Sequence, residues 1–360
     1  MSENNLLVEI KDLETHFFLS EGIVRAVDGV SFNINQGTIL GVIGESGSGK
    51  SVTAQSILGI VPSPPAKQIA GEILLHLRSE NGGYEVIDLA QLPKTGTRFR
   101  SIRGKEIGMI FQEPMTSFSP LHTIGDQIME AILLHIPGAT KQSARERAID
   151  LLRRVGIPRP EQQVDAYPHQ FSGGMRQRAM IAMAISCNPK LLIADEPTTA
   201  LDVTIEAQIL DLLSELQEEF NMAIMYISHD LAVVGGIADE VMVMYMGSVM
   251  EHASADVIFT DPRHPYTRAL WRSIPKIDGP LDELVPIQGA IPSPFSLHRG
   301  CPFYSRCNDR IAGVCNIERP PIINVAPGHK VSCFLYVDGH RVDEDRHLEQ
   351  TMPQAYGNPT

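Results

Sequence analysis

The stretch Gly37-Thr-Ile-Leu-Gly-Val-Ile-Gly44-Glu-Ser-Gly-Ser-Gly-Lys50-Ser51 carries more information than any other in this chain. Its first half is a continuous apolar run, as a strand buried on both faces requires, and Ser51 to Ile60 continues with helical spacing. The turn between them fits the phosphate-binding loop G-x-x-x-x-G-K-[ST] in full. Glycines allow backbone N–H groups to converge on phosphate oxygens, and the following helix adds the positive end of its dipole. Lys50 is expected to reach the β- and γ-phosphates, and the Ser51 hydroxyl to ligate Mg²⁺. The candidate contacts are Gly44, Ser46, Gly47, Ser48, Gly49, Lys50, Ser51 and Val52.

Outward from this loop, the chain alternates short apolar runs with longer helical patterns. Leu191 to Ala194 reads as a second buried strand, ending at Asp195-Glu196, and Ala223 to Ile227 as a third, ending at Ser228-His229-Asp230. Val241 to Tyr245 reads as an edge-type strand that turns at Gly247. Buried strands separated by helices predict an α/β fold with a parallel sheet and helices on both faces. From about 114 to 185 the pattern is helical throughout, with Lys141 to Val155 amphipathic, which predicts a helical insert.

Other residues become candidates through their positions relative to these strands. Buried carboxylates are costly unless they meet a cation, so Asp195 is placed to hold Mg²⁺ and Glu196 to polarise an attacking water. His229, at the end of the neighbouring strand, is placed to contact a γ-phosphate. Gln112 follows the short apolar strand at Ile110 and could bridge the metal, the water and the helical insert. Ser172-Gly173-Gly174 opens a helix and offers a second anion site. One nucleotide cannot fill two such sites far apart in the chain, so this one is expected to meet a nucleotide held by another subunit.

The composition excludes several alternatives. The 360 residues carry 43 acidic and 30 basic side chains, a net charge of −13, which argues against a general nucleic-acid binder. No run of eighteen apolar residues and no secretory signal is evident, so a cytosolic protein is expected.

After about His252 prolines cluster and periodicity fades. Such a segment cannot build a large core alone, and a cross-link is expected. Cys301, Cys307, Cys315 and Cys333 supply the candidates. Their spacing contains no C-x2–4-C knuckle of the kind zinc sites use, whereas an iron–sulfur cluster tolerates wider spacing. A [4Fe–4S] cluster is therefore the preferred expectation, with zinc as the alternative. Arg299, Arg306 and Arg310 lie beside the ligands and are expected to offset the cluster's negative charge. The expected organisation is a nucleotide-binding domain over 1–252, a small Pro/Cys-rich domain over 253–337 and a polar tail over 338–360.

Taken in order, the motifs of residues 6 to 252 resemble the nucleotide-binding subunit of an ATP-binding cassette (ABC) transporter, a P-loop NTPase. The resemblance implies a Walker A loop at Gly44–Ser51, a Q-loop glutamine at Gln112 and a signature motif at Ser172-Gly173-Gly174. It also implies a Walker B pair at Asp195-Glu196, a D-loop at Ala200-Leu201-Asp202 and a switch histidine at His229. The aromatic that stacks on adenine would be Phe17, with Phe18 as the alternative. The signature reads FSGGM where LSGGQ is commonest, so any contact of the glutamine amide is lost at Met175. The region after residue 252, with His264-Pro-Tyr-Thr267 and Cys301-Pro-Phe-Tyr-Ser-Arg-Cys307, resembles the C-terminal region of oligopeptide and dipeptide importer ATPases. Members with this cysteine set can hold a [4Fe–4S] cluster.

The resemblance implies an ATPase with ATP and Mg²⁺ as its working ligands. Its implied partners are a second ATPase subunit, two membrane permeases and an external solute-binding protein, which puts it peripherally at the cytoplasmic face of the membrane. Nickel or another small solute is the alternative cargo. A soluble cassette ATPase of DNA repair or translation fits less well, because the chain has one cassette and no sustained heptads. A redox role for the cysteines could coexist with transport. From the residues alone, His264 is expected to be a surface histidine capping the Pro-rich turn.

Overall fold

The computed structural model describes residues 5–78, 83–112, 117–199, 202–273, 287–296 and 299–338. The expected polar tail lies almost wholly outside them. Two sheets form the frame. β1 (Leu6–Leu19), β2 (Gly22–Asn35), β4 (Ala66–Arg78) and β5 (Tyr84–Asp88) make an antiparallel sheet in the order β2-β1-β4-β5. The larger sheet runs β11-β12-β10-β9-β3-β8-β7-β6. Its strands are β3 (Ile39–Ile43), β6 (Ile107–Ile110), β7 (Leu191–Asp195), β8 (Ala223–Ser228), β9 (Glu240–Tyr245), β10 (Ser248–Ser254), β11 (Ile322–Ala326) and β12 (His329–Ser332). The five strands β9-β3-β8-β7-β6 are mutually parallel.

The parallel strands are apolar because helices and the second sheet cover both their faces. Val42, Ile193, Met225 and Ile227 pack toward the antiparallel sheet with Val8, Leu13, Val27 and Val30. The helix Lys50–Ile57 lies in this layer, contributing Ala54 and Ile57. Ile43, Ala194, Ile224 and Val243 face the opposite core. There they share one cluster with the helical region, from Ile124, Ile128 and Ile132 through Leu151 and Leu152 to Met180 and Ile185. The amphipathic pattern near 141 forms a helix at Lys141–Arg154, closed by a capping box between Thr140 and Ser143. It buries Ala144, Ala148, Leu151 and Leu152, the i, i+4, i+7, i+8 stripe of a helix that meets a core on one side.

Two expectations change here. Val241–Tyr245 is not an edge: β9 pairs with β3 on one side and β10 on the other, and its residues after Glu240 are buried. Covering by β10, which comes later in the chain, removed the edge. His264 is not at the surface either. It is 1% exposed and N-caps the helix Pro265–Arg272, its Nδ1 accepting from the Tyr266 N–H at 3.0 Å.

The segment after His252 packs onto the cassette. β12 pairs with β10 and β11 with β12, extending the main sheet. Tyr266, Leu270 and Phe303 join the core beneath the parallel strands. The hinge of this attachment is Glu251, fully buried, which accepts from the backbone N–H groups of Arg263 at 2.6 Å and His264 at 2.9 Å. His329 Nε2 lies 2.7 Å from the same carboxylate. Burial would push the Glu251 pKa up, but these hydrogen bonds outweigh it and hold it low.

His264 makes the attachment acid-sensitive. Burial lowers its pKa to about 4, against the attraction of Glu251 and with help from Arg268. In the unfolded chain the ring protonates near its ordinary value of 6.5. As pH falls, the unfolded state therefore takes up this proton first, and stability is lost from about pH 6.5 down to about pH 4, at roughly 1.4 kcal/mol per pH unit. His264→Asn keeps a capping acceptor without the titration. It should lessen the loss of stability between pH 7 and pH 5 by about 2 kcal/mol, measured by denaturant unfolding; an unchanged pH slope would refute the assignment.

Candidate functional site

Parallel strands end at one edge of their sheet, and that edge gathers the motif residues. Register places Ile43 opposite Ser228 and Asp195 opposite Ile227, so the loops after β3, β7 and β8 emerge side by side. The phosphate loop is held tightly. A Cβ on Gly44, at φ +154°, would sit 2.2 Å from the Met244 carbonyl oxygen, and one on Gly49, at φ +101°, 2.2 Å from that of Ala26. Neither position admits another residue. The Ser48 carbonyl accepts from Gly247 N–H at 2.9 Å, tying the loop to the β9–β10 turn.

Lys50 is buried and curls back over its own loop, Nζ donating to the carbonyls of Gly44 at 2.7 Å and Glu45 at 3.2 Å, with Ser48 Oγ at 3.4 Å. Burial lowers its pKa, while Glu196, Asp195 and Glu45 pull it back up. Ser51 Oγ donates to Asp195 Oδ1 at 2.9 Å. The Asp195 pKa is raised, first by burial and then by Glu196, against the Ser51 hydrogen bond and Lys50. A buried carboxylate beside a hydroxyl, short of positive charge, has the donor chemistry of a Mg²⁺ site.

Glu196 is the centre of the second half. Its backbone takes the left-handed conformation at φ +46°, rare for a non-glycine residue, with its N–H donating to the Ile227 carbonyl at 3.0 Å. Gln112 Nε2 donates to Glu196 Oε2 at 3.0 Å and Thr199 Oγ1 to the same oxygen at 3.1 Å. His229 Nδ1 lies 3.5 Å from Oε1. Three residues from three loops thus orient one carboxylate. Thr199 was missed in the sequence; its signal is only a hydroxyl three residues beyond Glu196 in the turn.

The remaining candidates lie elsewhere. Ser172 N-caps the helix Gly173–Ala184, its Oγ accepting from Met175 N–H at 3.3 Å. Ser172 and Gly173 are exposed, and a Cβ on Gly173 would meet nothing within 4 Å. Among the described residues no hydrogen bond joins them to the phosphate loop. Met175 packs against the helical core, which is where its apolar side chain belongs. Asp202 caps the helix Val203–Phe220 through Ile205 N–H; Ala200 and Leu201 lie outside the described residues. Phe17 is half-buried and shares a face of β1 with Thr15, whose Oγ1 is 3.0 Å from Ser56 Oγ of the helix Lys50–Ile57. Phe18 lies on the other face, 47% exposed.

The four C-terminal cysteines are free thiols lining one cleft with Phe303 and Phe334. Burial pushes the thiol of Cys301 up to about 11 and those of Cys307 and Cys333 up to about 12, and neighbouring thiols add to each. Arg306 does not face them as expected. Its guanidinium turns away to Glu45, because that carboxylate offers a two-point partner inside the protein.

Residues 27–199 match the ABC transporter family, and residues 250–315 match the oligopeptide/dipeptide transporter C-terminal region. The chain is 49% identical over 330 residues to the oligopeptide transport ATP-binding protein AppD of Bacillus subtilis, covering 92% of this chain and 97% of that one. This chain belongs to the ATP-binding proteins of oligopeptide/dipeptide ABC transporters. The dipeptide transport ATP-binding protein DppD of Escherichia coli is 45% identical over 335 residues, again 92% of this chain and 97% of the relative. Among solved structures, the dimeric ATP-binding cassette MJ0796, in a post-hydrolysis state bound to ADP and Pi, superposes with a TM-score of 0.58 at 28% identity. It covers 69% of this chain and 98% of that one. The fold is thus that of an ABC ATPase, a P-loop NTPase, and ATP hydrolysis is its activity.

A cassette with this arrangement should separate binding from turnover. Glu196→Gln should lower ATP hydrolysis about 10²–10⁴-fold while ATP still binds, and Lys50→Ala should weaken binding itself. Near-normal hydrolysis by the first, or unchanged affinity in the second, would contradict the assignment.

Proposed function

We propose that this chain powers the import of short peptides, using ATP held between its own Walker A loop and the signature motif of a second ATPase subunit. The carrying observation is the convergence of Gln112, Thr199 and His229 on the Glu196 carboxylate, beside the Ser51–Asp195 pair. In this reading Gly44, Ser46, Gly47, Ser48, Gly49 and Val52 line the phosphates with Lys50, and Phe17, on the helix-facing side of β1, stacks on adenine. Ser51, Asp195 and Gln112 hold Mg²⁺, which when bound neutralises phosphate charge. Glu196 accepts a proton from the water whose oxygen attacks the γ-phosphorus as the bond to the β–γ bridging oxygen breaks and ADP leaves, and His229 holds the geometry at that phosphate. Ser172 and Gly173, both exposed, close with the adjoining Gly174 over the partner's nucleotide, and Asp202 lies at the same junction.

No described helix is long and apolar enough to cross a membrane. In this reading the transport path is supplied by other subunits. Two membrane permeases and an external solute-binding protein complete the assembly, with this chain peripheral at the cytoplasmic face. Exposed Leu121, Leu133 and Leu134, beyond Gln112 in the helical region, offer apolar surface for a permease. Peptide cargo is supported by the C-terminal match and by the peptide-transport relatives. In membrane vesicles carrying the assembled transporter and its binding protein, di- or oligopeptides should stimulate ATP hydrolysis. Stimulation by nickel salts and not by peptides would favour the small-solute reading.

We also infer that Cys301, Cys307, Cys315 and Cys333 hold a [4Fe–4S] cluster within a module spanning about 253–337. The donor set suits thiolates: N–H groups of Phe303 and Tyr304 serve Cys301, Asp309 serves Cys307, Leu335 serves Cys333, and Ile311 N–H reaches Cys315 Sγ at 3.4 Å. No three of the four sulfurs lie within 4.8 Å of one another, a spread that suits a cluster better than one zinc ion. When bound, the cluster would cross-link four points of a segment poor in regular structure. Anaerobically purified protein should contain about four irons and four sulfides per chain; one zinc, or no metal, would reject the cluster.

A further inference from the structure

Glu45, the second residue of the phosphate loop, is where the C-terminal segment reaches the ATP site. Its N–H donates to the Tyr266 hydroxyl at 3.0 Å. Its carboxylate accepts a fork from Arg306, Nη1 at 2.5 Å and Nη2 at 3.1 Å. The Arg306 side chain is only 4% exposed. Nε donates to the Gln288 carbonyl at 3.3 Å, and Nη1 to the Tyr245 hydroxyl at 3.3 Å. Tyr245, Tyr266 and Phe303 pack ring against ring around this pair, with centroids 4.7–5.4 Å apart. On its other side Glu45 feeds the loop: its carbonyl accepts from Lys50 Nζ at 3.2 Å and from Ser48 N–H at 3.1 Å. Short contacts therefore run from Arg306 through Glu45 to the lysine of the phosphate site.

A carboxylate at this place is a liability. The site must accept a polyanion, and an uncompensated negative charge on the loop repels it. Arg306 cancels that charge at its source, and its two-pronged grip also fixes the direction of the Glu45 backbone. The guanidinium sits on the loop that carries Cys301 and Cys307, far from the cassette motifs in sequence.

We propose that Arg306 is a positioning residue of the ATP site: by neutralising and orienting Glu45 it sets the affinity of the phosphate loop for ATP. Docking of the cysteine-bearing loop and binding of ATP are then coupled, each favouring the other. This rests on the reading of Gly44–Ser51 as the ATP site.

The test is a double-mutant cycle on the full-length chain, read as the dissociation constant for a fluorescent ATP analogue under non-hydrolysing conditions, with melting temperature alongside. Arg306→Gln should weaken binding about tenfold, raising KM for ATP more than it lowers kcat. Adding Glu45→Gln to that background removes the stranded charge and should restore binding to within about twofold. A strut of purely structural value gives the opposite pattern, with the double variant as weak as Arg306→Gln or weaker. Wild-type affinity in Arg306→Gln, or no rescue by Glu45→Gln, overturns the proposal. Should Arg306→Gln fail to fold, Arg306→Lys keeps the charge but loses the fork. It should bind ATP more weakly than wild type and be relieved by Glu45→Gln; binding at full strength, or no relief, again overturns the proposal. Lys50→Ala, measured in parallel, tests the loop reading separately: if it binds like wild type, that reading fails regardless of the cycle.

Discussion

The hydrogen bond between Ser51 and Asp195 joins residues 144 apart in sequence, and the proposed ATP site depends on what makes that contact possible. β3 and β7 flank β8 in a parallel sheet, in a register that ends all three at one level. A slip of one residue in either pairing would turn the apolar side chains to the wrong faces. It would also carry Asp195 or the phosphate loop out of reach. Since both faces of these strands are buried, register is strongly specified, and the site inherits that specification. The polar groups stand where the sheet stops, at the one edge where β3, β7 and β8 hand over to loops.

Around this junction the loop is clamped from three directions. β2 presses the Ala26 carbonyl against Gly49, the β9–β10 turn supplies Gly247 N–H, and the Met244 carbonyl closes on Gly44. Each contact is backbone to backbone, so it leaves no room for side chains and little freedom for the loop. These backbone contacts restrict the loop whatever it holds, so part of its ordering entropy is met by folding. The strained Glu196 backbone belongs to the same design. Its left-handed turn is held by Ile227, and its carboxylate is then aimed by residues from three different loops.

The C-terminal segment changes the meaning of the phosphate loop. It adds β11 and β12 to the main sheet, buries Tyr266 and Phe303 in the main core, and delivers Arg306 to Glu45. Glu251 and His264 secure its attachment through buried hydrogen bonds that tolerate little change in charge. A segment that cannot build its own core has borrowed one, and in doing so has come into contact with the phosphate loop.

Much of the cassette was legible in the sequence. A Gly-rich turn between an apolar run and a helix, or a carboxylate pair at the end of an apolar run, is local chemistry that has few other uses. Gln112 and His229 were legible only through their neighbours, since a lone glutamine or histidine says little. Thr199, Arg306, Tyr266 and the burial of His264 were not legible, because their partners lie across the fold and leave no periodic trace. The long antiparallel strands of β1, β2 and β4 also escaped, since their bulged pairings break the strict alternation that marks a strand. By itself, then, the sequence determined the phosphate loop, the apolar strands and the order of the motifs, all of which rest on residues adjacent in the chain. Only the tertiary structure decided which residues surround Glu196, that β9 is internal, and that Arg306 serves Glu45 rather than the thiols. Those outcomes depend on strand order and on burial, and a buried charge takes whichever partner the fold brings within reach.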